Sequence, residues 1–193
     1  MEQLKASDLL SLEAYHKQRT DFRARVLAHK RLRQVAIGPN LTLYFEDRLT
    51  MQYQVQEMLR AERIFESDAI EEELAAYNAL VPSGTNLKAT MMLEYADVAE
   101  RRAALAELAG VEHAVYLEVA KVGRVLAHAD EDLPRSNEEK TSAVHFMRFE
   151  INPAMCAQLK AGAALEIGVD HPRYAHAVTV PADVATALAA DLD

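Results

Sequence analysis

The segment NLKATMMLEY, residues 86–95, carries the clearest structural signal in the chain. Every second position is apolar or aromatic, a set made up of Leu87, Ala89, Met91, Leu93 and Tyr95. Lys88, Thr90, Met92 and Glu94 stand between them. Successive side chains of an extended chain point to opposite faces. The period of two therefore predicts a β-strand that turns one face to a core.

Helices and a hairpin are predicted on the N-terminal side of this strand. From Ser11 to about Arg33 the chain has no Gly or Pro and spaces its apolar residues as a long helix does. Residues 34–47, QVAIGPNLTLYFED, predict a β-hairpin that turns at Gly-Pro-Asn. Thr50 is expected to cap a second helix, and residues 69–80 form a third.

The C-terminal side is predicted to be mostly strand. Asp97 caps a helix over residues 98–110. Apolar stretches bounded by turn formers then predict strands at residues 114–120, 124–130, 141–151, 163–169 and 176–180. A short helix is expected at residues 153–162, and a terminal helix starts at Pro181. Several of these strands are joined by short turns, which favours antiparallel pairing.

These elements predict an α+β fold: a mainly antiparallel sheet with N-terminal helices packed on it and a short C-terminal helix. The 193 residues are enough for one substantial core. We therefore expect a single α+β domain over residues 1–193. Its helical part covers about residues 1–80 and its strand-rich part about residues 86–181.

Composition narrows the class of protein. No apolar run approaches the roughly 20 residues that cross a bilayer, and the start, MEQLKASDLL, lacks a secretory pattern. A cytoplasmic location is expected, with no membrane partner. The net charge of −9 argues against a nucleic-acid partner. The single cysteine is too few for an internal disulfide or a thiolate metal site, so a metal would need histidine and carboxylate ligands.

The charge is unevenly distributed, because residues 16–34 contain seven of the 21 Lys and Arg residues against a single Asp. One interpretation pairs these cations with acidic stretches such as ESDAIEEEL, residues 66–74. The other is an anion or nucleotide site formed by Arg23, Arg25, Lys30 and Arg31.

Three histidines fall on apolar faces of predicted strands. His145 shares a face with Met147 and Phe149, His171 is in line with Ile167, and His176 is in line with Val178. If the strands are neighbours, His145, His171 and His176 converge near Asp170 or Glu150 as a metal site that suits Fe or Zn. The alternative is that each ring is satisfied by a backbone carbonyl and that VDHPRYAHAV is a simple turn between strands.

Glu62 lies in an apolar stripe of the second helix, among Met51, Val55, Met58 and Phe65. A carboxylate in such a stripe is costly unless it is paired. The functional interpretation makes Glu62 a catalytic general base or a metal ligand. The structural one pairs it with an arginine of the first helix, Arg19, Arg23 or Arg25. Glu57 and Arg60, three residues apart, predict a surface or interhelix pair.

Several blocks taken together resemble the bacterial family of unknown function DUF3501. The blocks are RARVLAHKRLR, LTLYFEDRLTMQYQVQEMLRAERIFE, YNALVPSGTNLKATMMLEY, EKTSAVHFMRFE and GVDHPRYAH. The likeness covers nearly the whole chain. The family's recurring blocks include His29, Glu57, Arg60, Glu62, Arg63, His145, His171 and His176 as they stand here, without assigned roles.

The resemblance implies a function by association. Genes for such proteins tend to lie beside those for rubrerythrin and for an iron–sulfur, heterodisulfide-reductase-like oxidoreductase. We therefore expect an accessory protein of a redox, oxidative-stress or iron-handling system that acts with a rubrerythrin-like or iron–sulfur partner. The alternative hypothesis is a metal- or small-ligand-binding protein, or an enzyme, with a His-rich site. The sequence leaves a homo-oligomer, the metal and the reaction open.

Overall fold

A computed structural model describes residues 2–137 and 139–193 of the chain. The helices are α1 (Leu12–Lys30), α2 (Arg48–Glu62), α3 (Ser67–Asn78), α4 (Val98–Glu107), α5 (Pro153–Lys160) and α6 (Ala182–Ala189). The strands are β1 (Gln34–Ile37), β2 (Leu41–Glu46), β3 (Asn86–Leu93), β4 (Val115–Val119), β5 (Gly123–Leu126), β6 (His128–Ala129), β7 (Val144–Glu150), β8 (Leu165–His171) and β9 (Tyr174–Thr179). Short 3₁₀ helices cover Ala6–Asp8 and Val111–His113. The prediction of an α+β fold is confirmed.

The helix boundaries follow from local capping. Ser11 caps α1 as expected, since its hydroxyl accepts a hydrogen bond from the Ala14 amide at 3.2 Å. The second helix starts earlier than predicted, because Asp47 is its cap and Thr50 is the third residue of a capping box. That helix ends at Glu62, where Arg63 takes a left-handed conformation with φ of 58°.

The strands form two antiparallel sheets where the sequence predicted one. The first has the order β1-β2-β3-β7-β6 and the second the order β5-β4-β8-β9. The single strand predicted over residues 124–130 is divided here, because residues 123–126 form β5 of the second sheet and residues 128–129 form β6 of the first. Between them, the Ala127 amide donates to the carbonyl of Val115 at 2.9 Å. This change of sheet places β7 apart from β8 and β9.

A second connection between the two sheets is made by Tyr174. Its hydroxyl donates to the Ile37 carbonyl at 2.7 Å and accepts from the amides of Asn40 and Leu41, each at 3.0 Å. It thus ties β9 to the turn between β1 and β2. Gly38 in that turn has a φ of 69°, and a Cβ there would lie 2.7 Å from the ring of His176.

The inner faces of both sheets share one apolar core. Its contributors from the first sheet include Leu43, Phe45, Met91 and Phe149, and those from the second include Leu117 and Ile167. Residues of α5 and α6 complete it. As predicted, the apolar face of β3 is buried, because the alternation places every second side chain inward.

The N-terminal helices have apolar clusters of their own. One joins α2 and α3 through Met51, Val55 and Leu74, and the other lies on α1 around Tyr15 and Phe22. The end of α3 meets the outer face of the first sheet, where Lys88 Nζ donates to the Ala79 carbonyl at 2.5 Å. Among residues 2–137 and 139–193, no helix combines the length and apolarity that a membrane span requires.

Candidate functional site

The structure does not bring the three predicted metal-ligating histidines together. His145 lies on β7 of the first sheet, whereas His171 ends β8 and His176 lies on β9 of the second. Across the described ranges, no group of three or more His, Cys, Asp or Glu side chains is arranged to hold a metal ion. The expected convergence required all three strands in one sheet, and the change of sheet at residues 123–129 separates them.

His145 is fully buried, as its position among apolar residues predicted, and it is enclosed by oxygen atoms. Its Nδ1 lies 2.5 Å from Asp130 Oδ2, and its Nε2 lies 2.8 Å from Thr141 Oγ1 and 3.1 Å from the Ser142 carbonyl. The Thr141 hydroxyl donates onward to Glu112 Oε2 at 2.9 Å. Both ring nitrogens therefore already have hydrogen-bond partners within the protein, whereas a metal ligand needs a free lone pair. The arrangement is a polar network inside the core.

His171 and His176 belong to the hairpin that VDHPRYAHAV forms. The Nε2 of His171 donates to the Ala109 carbonyl at 3.3 Å, and its Nδ1 accepts from the Arg173 amide at 3.3 Å. His176 is exposed and packs edge-on against Tyr174, with ring centroids 4.6 Å apart. These contacts fit the simple-turn interpretation of the segment.

Glu62, the predicted catalytic carboxylate, is exposed at the last position of α2. The apolar stripe that was expected to surround it stops there, and Phe65 beyond it is 71% exposed. Glu57 is instead the carboxylate that joins the two helices. Its oxygens accept from Arg19 at 2.7 and 2.8 Å and from the Tyr15 hydroxyl at 2.6 Å.

Glu57 also pairs with Arg60 at 3.2 Å, so the predicted pair is present and extends between helices. The hydrogen bond from Arg19 is the main cause that lowers the pKa of Glu57 to about 2. Burial and the hydrogen bond to Glu57 raise the pKa of Tyr15. This cluster holds α1 against α2.

A second buried network was not predicted from the sequence. Arg33, 2% exposed, forms an ion pair with Asp191 and lies 3.5 Å from Asp47. His29 Nε2 lies 2.5 Å from the same Asp47 oxygen, Oδ2. Burial opposes ionisation of Asp47, but Arg33, the Thr50 amide and His29 together outweigh it and keep its pKa below the ordinary value. The network joins the end of α1 to the residues after α6.

The four predicted anion-binding residues lie on or beside α1 and do not form one site. Arg23, Lys30 and Arg31 follow one side of the helix together with Leu27, at the spacing that aligns side chains on a helix. We call these four residues the basic stripe. Arg25 lies away from it, with its guanidinium 4.7 Å from the ring centre of Phe22.

Within the described structure, none of the three cations of the basic stripe forms an ion pair, and 42% of Leu27 is exposed. The predicted pairing of the basic segment with ESDAIEEEL is not observed among the described residues. The segment's ion pairs, made by Lys17, Arg19, His29 and Arg33, reach other carboxylates.

A cleft lies between α3 and the outer face of the first sheet. It has a volume of about 510 Å³, within the size range of small-molecule sites. Its lining residues are Ala76, Tyr77, Ala79, Leu80, Lys88, Glu131, Asp132, Phe146, Met147 and Arg148. Its two cations, Lys88 on β3 and Arg148 on β7, lie opposite each other in the register of the two strands.

Comparison with known proteins identifies the family. The family model described as "Protein of unknown function (DUF3501)" matches residues 3–192. The chain belongs to the DUF3501 family. A solved structure from Burkholderia pseudomallei K96243, described as a novel protein of unknown function, is 54% identical to this DUF3501 chain. The match covers 100% of each chain with a TM-score of 0.94. A search of curated proteins finds no match.

The DUF3501 assignment confirms the resemblance seen in the sequence, and the Burkholderia structure has a similar fold. Neither the family description nor the name given to the Burkholderia structure assigns a reaction or a ligand. A ligand site or docking surface of this DUF3501 protein must therefore be inferred from its own exposed and buried groups.

Proposed function

We propose that the protein is a cytoplasmic accessory protein of a bacterial redox or iron-handling system and that it acts by docking a partner protein. The partner is a rubrerythrin-like protein or an iron–sulfur oxidoreductase with an acidic docking surface. The family resemblance supplies the redox context, and the basic stripe supplies the mode of binding.

The observation that carries this proposal is the contrast between the buried polar groups and the basic stripe. In residues 2–137 and 139–193, every buried side-chain nitrogen and oxygen has a hydrogen-bond partner. The buried histidine and arginine networks thus have their bonding capacity used inside the protein. Arg23 and Arg31 are instead exposed beside the exposed Leu27, and Lys30 of the same stripe is half-buried.

Charge complementarity favours an acidic partner. The net charge of the chain is −9, so the basic stripe is a local exception on an acidic molecule. Complementary charge speeds association and selects the partner, and an exposed leucine among the cations adds apolar contact. Salt screens such contacts, since the Debye length falls from about 8 Å at 0.15 M to about 3 Å at 1 M.

Affinity purification from native host cells tests the proposal. The tagged full-length chain is cross-linked in the cells, and the proteins recovered are identified by mass spectrometry. The stripe variant is Arg23→Glu with Arg31→Glu. The matched control, Arg101→Glu with Arg102→Glu on α4, changes the net charge by the same amount on a different helix.

The wild type and the control should recover a rubrerythrin-like or iron–sulfur protein, and the stripe variant should lose it. High salt during purification without cross-linking should also release the partner. Recovery of no redox protein by the wild type would refute the function. Equal recovery by the stripe variant would refute the docking surface.

A further inference from the structure

We propose that the cleft between α3 and the first sheet binds a small molecule that combines an apolar body with a carboxylate, and that the carboxylate pairs with Lys88. This site is separate from the basic stripe and does not depend on the docking function. The proposal depends on the lining of the cleft and on how its charged groups are already paired.

The walls of the cleft are suited to an apolar ligand. Ala76, Ala79 and Leu80 come from α3 and the residues that follow it, and Phe146 comes from β7. Tyr77 adds a phenol whose pKa is raised mainly by burial. Ligand sites typically combine such apolar walls with a small number of polar groups that fix orientation.

Most charged groups of the cleft are bound to each other. Arg148 donates to both oxygens of Glu131, at 2.6 and 2.7 Å, and forms a third bond to Glu150. Asp132 is held by Arg135 at 2.5 and 2.7 Å. Glu131, Glu150 and Asp132 are therefore each hydrogen-bonded to a guanidinium group. Of the two cations that line the cleft, Lys88 is the one left for a ligand.

Lys88 lacks a carboxylate partner within 4.0 Å in the described structure. Its ammonium carries three donors, and the hydrogen bond found for it goes to the Ala79 carbonyl at 2.5 Å. Burial, followed by the charge of Arg148, lowers the pKa of Lys88, although Glu131 and Glu150 act in the opposite direction. A half-buried cation in this situation is stabilised by an anion that brings its own apolar body into the cleft.

Calorimetric titration of the full-length protein tests this site. The probes are sodium octanoate and 4-phenylbutyrate, which carry aliphatic and aromatic bodies, and 1-octanol, which lacks the carboxylate. Lys88→Met removes the charge and keeps an unbranched side chain. Ala76→Trp fills the cleft from an exposed position on α3. Lys17→Met, on α1, is the matched control for loss of one lysine charge.

At least one of the two acids should bind the wild type and Lys17→Met equally. Lys88→Met should weaken acid binding by about tenfold or more and change 1-octanol binding by less than about threefold. Ala76→Trp should weaken the acids and the alcohol alike. The proposal is overturned if neither acid binds at about 5 mM. It is also overturned if both folded variants bind the acids as tightly as the wild type.

Discussion

The Tyr174 hydroxyl is expected to make a large contribution to stability for a single atom. In Tyr174→Phe the ring remains, but the Ile37 carbonyl and the Leu41 amide lose the hydroxyl that bonds them. Both residues are buried, and an unsatisfied buried polar group costs about 1–3 kcal/mol. The two unsatisfied groups together would cost about 2–6 kcal/mol. Partial relaxation of the turn should reduce this cost to the lower half of that range. We expect the free energy of unfolding to fall by about 2–4 kcal/mol.

Urea unfolding followed by far-ultraviolet circular dichroism measures this loss. Tyr44→Phe is the matched control, because the Tyr44 hydroxyl makes one 3.5 Å contact with Glu94 at an exposed site. The control should change stability by less than about 0.5 kcal/mol. The reasoning is refuted if Tyr174→Phe loses less than about 1 kcal/mol or matches the control.

Three further predictions concern the polar networks. The pKa of Glu57 is about 2 in the folded chain, whereas its ordinary value is 4.5. The ionised carboxylate therefore contributes fully to the stability of the folded state above about pH 5, and this contribution is lost as the pH falls towards 2. Glu57→Gln should therefore lower the melting temperature at pH 7 but much less at pH 2.5, and an equal loss at both would contradict this. Asp191→Asn leaves buried Arg33 with a weakened partner and should lower the free energy of unfolding in urea by about 3 kcal/mol. The exposed control, Asp183→Asn, should lower it by less than about 0.5 kcal/mol. His145→Gln should lower the melting temperature by the same amount in the presence of Zn(II) and in the presence of a chelator. If Zn(II) instead stabilises the wild type and not the variant, the result would support a metal site at His145.

The sequence predicted well those features that depend on local pattern. The strand at Asn86–Leu93 and the burial of His145 both followed from alternation, since strand geometry fixes which side chains share a face. The turn at Gly38 followed from residues that favour it, and its φ of 69° shows why glycine is needed. These features need no information about distant parts of the chain.

The sequence could not predict the features that depend on long-range packing. Whether residues 123–129 stay in one sheet depends on which distant strands they pair with, since β5 pairs with β4 and β6 pairs with β7. Glu62 was placed in an apolar stripe because the helix was assumed to continue to residue 66, whereas Arg63 ends it. Arg33 and Asp191 are 158 positions apart, and the sequence around either residue does not indicate that the other is its partner.

The pairing of the two sheets bears on how the protein behaves at high concentration. Open strand edges recruit strands from other molecules and so begin aggregation. Here β5 and β6 are adjacent parts of one segment, and β1 lies beside β9. The outer strands of each sheet thus lie next to those of the other. Mutations that separate β9 from β1 should therefore expose new edges and promote self-association before they unfold the core.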